Sequence, residues 1–528
     1  MSQELAYLGR RVAAGQLSRR DFLGHATALG VSAALANSLL AGTAKAQVPQ
    51  KGGILKAGLQ GGGSADSLDP ALPAGAPPIT FGRCWGEILL EVTPENGLEY
   101  RIAEEIGSSK DVKTWTLKIR KGIQFHNGKE VTPQDVVATL ERHSNKESKS
   151  GALGILKGIE AIKADGRDVV ITLKEPNVDL PYLMTDYHLI IQPNGGKDDP
   201  AAGIGAGPYK VVVNEPGVRH VGEKFKDYWQ GDKLGHADQV EITVINDATA
   251  RIAALQGNQV HMINRVEPKV VDLVIRGKGI TIQNVTGRGC YLFNMFCDTA
   301  PFDNSDIRMA LKLALDREQM LDKILRGYGA IGNDFPINSS YPLFAEIEQR
   351  KYDPDKAKFL YKKSGHSGPI LLRTSDVAFP GAVDAAQLYQ QSCAKAGITL
   401  EVKREPGDGY WSEVWQKQPF YASYWSGRAT QDQMYSSAYL STAQWNDTHF
   451  FNEKFDKLLT EARGELDQDK RKNLYREMAI IVRDEGGVTV PFFNQFIDAT
   501  GPHVKGFVKH PARDMCNGYA LAQCWLEP

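Results

Sequence analysis

From residue 370 onward the chain alternates two hydrophobic periods, and this alternation limits the fold more than any other feature of the sequence. Ile370-Leu-Leu-Arg373 is a short apolar run, residues 383–396 carry a helical period, and Ile398-Thr-Leu-Glu-Val-Lys403 returns to strand alternation. The strand Tyr421-Ala-Ser-Tyr-Trp425 comes next, then charged helices near 452–464 and 467–484, then the strand Val488-Thr-Val-Pro-Phe-Phe-Asn494. Alternating β and α elements predict an α/β fold in which helices cover the sheets.

The first half fits the same class. Lys51-Gly-Gly-Ile-Leu-Lys-Ala-Gly-Leu59 reads as a strand entering the turn Gly61-Gly-Gly-Ser64. Asp66, Asp69 and Pro70 follow where a phosphate loop needs a helix and a lysine, so a tight turn near a cleft is expected. Trp115-Thr-Leu-Lys-Ile-Arg120 alternates as a strand, and Thr132-Pro133-Gln-Asp135 has the cap, the first-turn proline and the acid that open a helix. His126 lies in a turn with Asn127 and Gly128 and reads as structural. Gly203-Ile-Gly-Ala-Gly-Pro208 runs into the strand Tyr209-Lys-Val-Val-Val213, which excludes a dinucleotide loop. A strand at 240–245, a helix at 247–256, a strand at 290–296 and helices opening at Asn304, Asp316 and Asp353 complete the pattern.

With 528 residues the chain exceeds a single small core, and two to four domains are expected. Residues 1–46 read as an export signal: Leu17-Ser-Arg-Arg-Asp-Phe-Leu23 places paired arginines before an apolar run at 26–44 that ends in Ala44-Lys45-Ala46. The pair resembles the twin-arginine signal, whose export machinery passes folded protein. The first cysteine is Cys84, so no lipid anchor is expected, and the destination read from the leader is the periplasm. Without residues 1–46 the net charge is −4, which offers nothing to nucleic acid or an anionic membrane. Of six cysteines, Cys516 and Cys524 are the best placed to pair, although all six can remain thiols. Cys290 and Cys297 stand too far apart along one strand. There is no CxxC pair and no Cys/His cluster with zinc spacing, so neither metal nor cofactor is expected.

The candidate site is the stretch from Tyr421 to Asp432. Trp425 ends a strand, Gly427 breaks it, and a polar loop then carries Arg428 and Asp432. An indole offers apolar contact with one polar handle, and a guanidinium offers a planar fork that matches a carboxylate. The competing reading is a core tryptophan with Arg428 and Asp432 in a structural ion pair.

Several segments together resemble the family 5 extracellular solute-binding proteins of ABC importers. They are Trp115 to Gly128 with Val131-Thr-Pro-Gln-Asp-Val136, Gly205-Ala-Gly-Pro-Tyr209, Phe293-Asn294 through Pro301-Phe302-Asp303, Arg308, Ala310, Asp316-Arg317, and Trp425-Ser-Gly-Arg428. The resemblance implies a two-lobe periplasmic-binding-protein clamshell, a type II-like solute-binding fold with an extra inserted subdomain. One lobe would comprise residues 47–87, 206–299 and 488–528, with the insertion at 88–205; the other would be residues 300–487. Crossover strands near 290–300 and 485–492 would form the hinge, and ligand buried between the lobes would favour closure.

Peptide-binding members carry an acid three residues after the tryptophan, where it meets the ligand's ammonium. Here that position is Arg428, which repels an ammonium and invites an anionic or carbonyl group. The resemblance also places Trp411 on the pocket wall, Tyr291 and Asn294 on a crossover strand, and Asn494 on the returning strand near the cleft. Tyr424 alternates with Trp425, so one of the two should face away. The function implied is a monomeric periplasmic receptor that captures a peptide-like or other small organic solute and delivers it unchanged to an ABC permease and its ATPase subunits. The alternatives are a sensor on the same fold and a secreted hydrolase; against the latter, the chain has no G-x-S-x-G and no H-E-x-x-H.

Overall fold

The computed structural model describes residues 48–527, and the expected export signal lies outside them. A twelve-stranded mixed sheet organises the rest. On one side, Leu400–Arg404, Ile370–Thr374, Phe420–Trp425 and Cys290–Met295 lead to the long strand Val488–Thr500. On the other, Met262–Ile263, Ile54–Leu59, Gln239–Val244, Arg219–Lys224 and Tyr209–Glu215 lead away from it. The βαβ unit read from the sequence is present: Ile370–Thr374 and Leu400–Arg404 pair in parallel, joined through the helix Ala382–Lys395.

Val488–Thr500 extends beyond the expected strand end at Asn494 and belongs to both halves of the sheet. Its residues up to Phe492 pair with Cys290–Met295, whereas Gln495–Thr500 pair with Thr281–Thr286. The partner thus changes around residues 493–494. The neighbouring crossover runs through Gly287 and Gly289. A Cβ on Gly287 would lie 2.3 Å from the Phe496 ring, so only glycine lets that backbone pass the aromatic.

Residues 103–173 hold a separate antiparallel sheet in the order Ala103–Ser108, Thr114–Ile119, Asp168–Leu173, Ile159–Asp165. Trp115, Leu117 and Ile119 alternate inward, as the period predicts, onto a core with Phe125, Val136 and Leu140. The helix Pro133–Ser144 opens on a reciprocal cap. Thr132 Oγ1 accepts from the Asp135 N–H (3.3 Å), and the Asp135 carboxylate accepts from the Thr132 N–H (2.9 Å). Asp247, Asn304, Asp316 and Asp353 cap their helices one way, each side chain accepting a first-turn N–H.

Two sequence expectations change. Gln431–Ala438 is a buried helix, not a polar loop, because Thr430 Oγ1 caps it by accepting from the Gln433 N–H (3.2 Å). Cys516 and Cys524, like the other four cysteines, are free thiols.

Candidate ligand-binding site

Phe420–Trp425 runs antiparallel to Cys290–Met295, with Tyr424 opposite Tyr291 and Trp425 opposite Cys290. At its end the chain turns at Gly427, where a Cβ would lie 2.5 Å from Arg288 Cβ and 2.9 Å from the Ala512 carbonyl oxygen. The missing side chain brings this turn against residues 511–513. Arg288 ties the two segments together. Its backbone N–H donates to the Pro511 carbonyl (2.8 Å), and its guanidinium donates to the carbonyls of Arg428 (3.0 Å) and Ala429 (3.2 Å).

A cavity opens beside the turn. Trp425, Arg428, Trp445 and Arg513 form its buried floor; Tyr187, Trp411, Trp415 and Tyr424 form a half-buried rim. It encloses ≈ 30 Å³ and widens to ≈ 370 Å³ when its mouth is counted. Arg428 is 5% exposed. Its Cζ lies 5.2 Å from the Trp425 ring centroid and 5.6 Å from that of Tyr187. Its Nη1 donates to its neighbour's carbonyl, Gly427 O (3.2 Å), and its Nε is buried without a hydrogen-bond partner. Among the described residues no carboxylate stands within 4.0 Å of this guanidinium.

The alternative ion pair with Asp432 is not formed. Asp432 is fully buried on the Gln431–Ala438 helix, where it accepts from Arg463 Nε (2.9 Å) and Ser436 Oγ (2.7 Å). Arg428 also acts on the buried carboxylate of Asp186. Burial works to raise its pKa, but His188, with Nδ1 2.5 Å from Oδ1, and then Arg428 hold it below the ordinary carboxylate value.

The other candidates divide between this cavity and a smaller neighbour. Trp411 and Tyr424 lie on the rim of the first, their rings edge to face at 5.5 Å. Tyr291, Tyr424, Trp425 and Asn494 line the second, which encloses ≈ 20 Å³ and contains the ion pair Arg265–Asp514 (3.3 Å). Tyr424 and Trp425 therefore both reach a cavity, because the strand ends there and its two faces open together. Asn294 lines neither: it is fully buried and donates from Nδ2 to Asp447 Oδ2 (2.8 Å).

With this geometry in place, comparison with known proteins decides the family. The profile of the bacterial extracellular solute-binding proteins, family 5 Middle, matches residues 97–447. The chain belongs to that family. Heme-binding protein A of Haemophilus influenzae is 26% identical over 465 residues, covering 78% of this chain and 82% of the relative. The dipeptide-binding protein of Escherichia coli is 22% identical over 448 residues, covering 78% and 83%. Among solved structures, AgaA from A. tumefaciens R10 in complex with agropinic acid superposes with a TM-score of 0.83 at 22% identity, covering 90% of this chain and 99% of that one. DppA from Helicobacter pylori in complex with the peptide STSA gives 0.82 at 20% identity, covering 91% and 99%. The two-lobe α/β fold implied by the sequence resemblance is the fold of this family 5 protein.

Several residues of the site in this solute-binding protein carried no sequence signal. Tyr187, Trp445, Arg513 and Arg265 come from distant segments and meet only in the fold. So does Asp447, buried beneath the aromatic floor, whose Oδ2 accepts from Trp425 Nε1 (3.1 Å), Trp415 Nε1 (3.5 Å) and Asn294 Nδ2 (2.8 Å). Burial pushes its carboxyl up to about 7, opposed in part by those donors. A carboxyl raised in this way contributes stability that is complete below the ordinary value of 3.8 and is lost as pH rises through about 7. Asp447→Asn should therefore gain on the parent protein between these limits, by roughly 2–4 kcal/mol, with the gap levelling off above neutrality. Melting curves of both proteins across that range measure it, and a gap independent of pH would contradict it.

Proposed function

We propose that this chain is the solute receptor of an ABC importer. In this reading it is exported through the twin-arginine route, acts as a monomer in the periplasm, and captures a peptide-like or other small organic solute bearing an anionic group. It then delivers the solute unaltered to a membrane permease and its ATPase subunits. The lobes would close by bending at the two crossovers, near 287–289 and 493–495. Agropinic acid in AgaA and the peptide STSA in DppA occupy proteins of one fold, so the fold leaves the ligand open and the site residues have to decide.

One observation carries the ligand's polarity: the Arg428 guanidinium is buried in an aromatic cavity and, among the described residues, has no carboxylate within 4.0 Å. A desolvated cation placed there is stabilised by an anionic group that arrives with the solute. Mass spectrometry of the solute that co-purifies with the exported protein tests this. An organic anion at one per chain, unchanged in mass after prolonged incubation, is the expected result. A neutral or purely cationic solute would overturn the polarity, and a chemically altered product would overturn the receptor reading.

A further inference from the structure

Arg428 shares its cavity with a second guanidinium. Arg513 is also 5% exposed, and among the described residues it too has no carboxylate within 4.0 Å. Its Cζ lies 4.7 Å from the Tyr187 centroid, against 5.6 Å for Arg428, so the two cations can be no further apart than the sum of these distances. Two buried positive charges at such a separation repel each other, and Asp186, already bonded to His188, offsets only part of that.

The segment bearing Arg513 is held in a costly conformation. Met515, Cys516 and Asn517 follow it with φ of 51°, 59° and 57°. Left-handed L-residues cost about 1–2 kcal/mol each, and such strain persists where its surroundings enforce it. Here the Met515 N–H donates to Asp498 Oδ2 (2.7 Å), and Asp514 is paired with Arg265, itself left-handed with φ of 51°. Aromatic rings surround both cations: Trp425 and Trp445 are buried beside them, and Trp411, Trp415 and Tyr424 line the half-buried rim. The Trp411 indole N–H is buried there without a partner.

Building on the reading of Arg428 above, we propose that Arg513 is the second arm of one head-group clamp and that the solute is a flat aromatic or conjugated carboxylic acid. Its carboxylate lies between the two guanidiniums, and its plane lies against the rings at the rim. A carboxylate has acceptor sites enough for two forks, and a rigid planar body gains contact with aromatic walls while giving up little rotational freedom.

The test uses the whole mature protein, stripped of solute, with binding followed by calorimetry and tryptophan fluorescence. Benzoate and cinnamate are the probes. Cyclohexanecarboxylate, equally charged but puckered, and benzamide, flat but neutral, are the controls. At least one planar acid should bind about tenfold or more tightly than either control, and Arg428→Gln and Arg513→Gln should each weaken it about tenfold or more. No saturable binding of either planar acid at millimolar concentration, or equal binding of the puckered acid, overturns the assignment. Loss with Arg428→Gln but wild-type binding with Arg513→Gln overturns the second arm and leaves the Arg428 reading standing. Loss with neither overturns both. Should Arg513→Gln fail to fold, Arg513→Lys keeps the charge without the fork and must still weaken binding several-fold; unchanged binding would remove Arg513 from the site.

Discussion

Arg428→Gln is expected to weaken binding of the co-purifying solute by about tenfold or more, since a buried hydrogen bond to a charged group contributes about 1.5–3 kcal/mol. The melting temperature of the ligand-free protein should scarcely move. The substitution breaks no ion pair, because Asp432 is committed to Arg463. Nor does it touch the bond from the Arg428 backbone N–H to Tyr341 Oη (3.1 Å), which fixes the turn from outside the cavity. Glutamine also retains much of the packing on Trp425. Calorimetric titration alongside thermal melts separates the possibilities. Weakened binding with an unchanged melt assigns Arg428 to the ligand, and a large loss of stability without ligand would assign it to the scaffold.

The largest loss of stability is expected at Asp334, remote from the cavity. This residue is fully buried. Its carboxylate accepts from Arg317 Nη2 (2.6 and 2.7 Å), Arg350 Nε (2.8 Å) and the Val490 N–H (3.0 Å). It thereby neutralises two guanidiniums at once and anchors the start of the strand that crosses between the halves of the sheet. Asp334→Ala leaves Arg317 buried with no other carboxylate within 4.0 Å among the described residues; Arg350 retains Asp484 (2.7 Å). Breaking a buried pair from one side costs about 3–5 kcal/mol, more than the pair itself contributes, because the stranded charge stays out of water. A fall of that size in the unfolding free energy, read from denaturant titration, is the expected outcome. A loss below about 1 kcal/mol would mean that both arginines find solvent or other partners.

What the sequence revealed of the site followed from contiguity. Trp425, Gly427 and Arg428 lie within four residues, so a strand end, a turn and a guanidinium fork are read together. Tyr187 and Arg513 are not, because a separate segment and the C-terminal region bring them there through pairings that no local pattern encodes. The left-handed run at 515–517 has no glycine to announce it until Gly518. Asp432 lies on a helix whose opening the sequence does carry: Thr430-Gln-Asp-Gln433 has the spacing of a capping box, and the Thr430 hydroxyl caps that helix. The fold was more legible than the site because periodicity reports which face of an element is buried. It does not report which buried cation is left without a partner, since that depends on carboxylates folded in from elsewhere.

The most direct measurement is a crystal structure of the protein still loaded with the solute it captures. The account predicts an anionic oxygen of that solute at about 3 Å from the Arg428 guanidinium, with the lobes closed over it and its covalent structure intact. A solute seated elsewhere, or one that turns an ammonium or an apolar group towards Arg428, would contradict it.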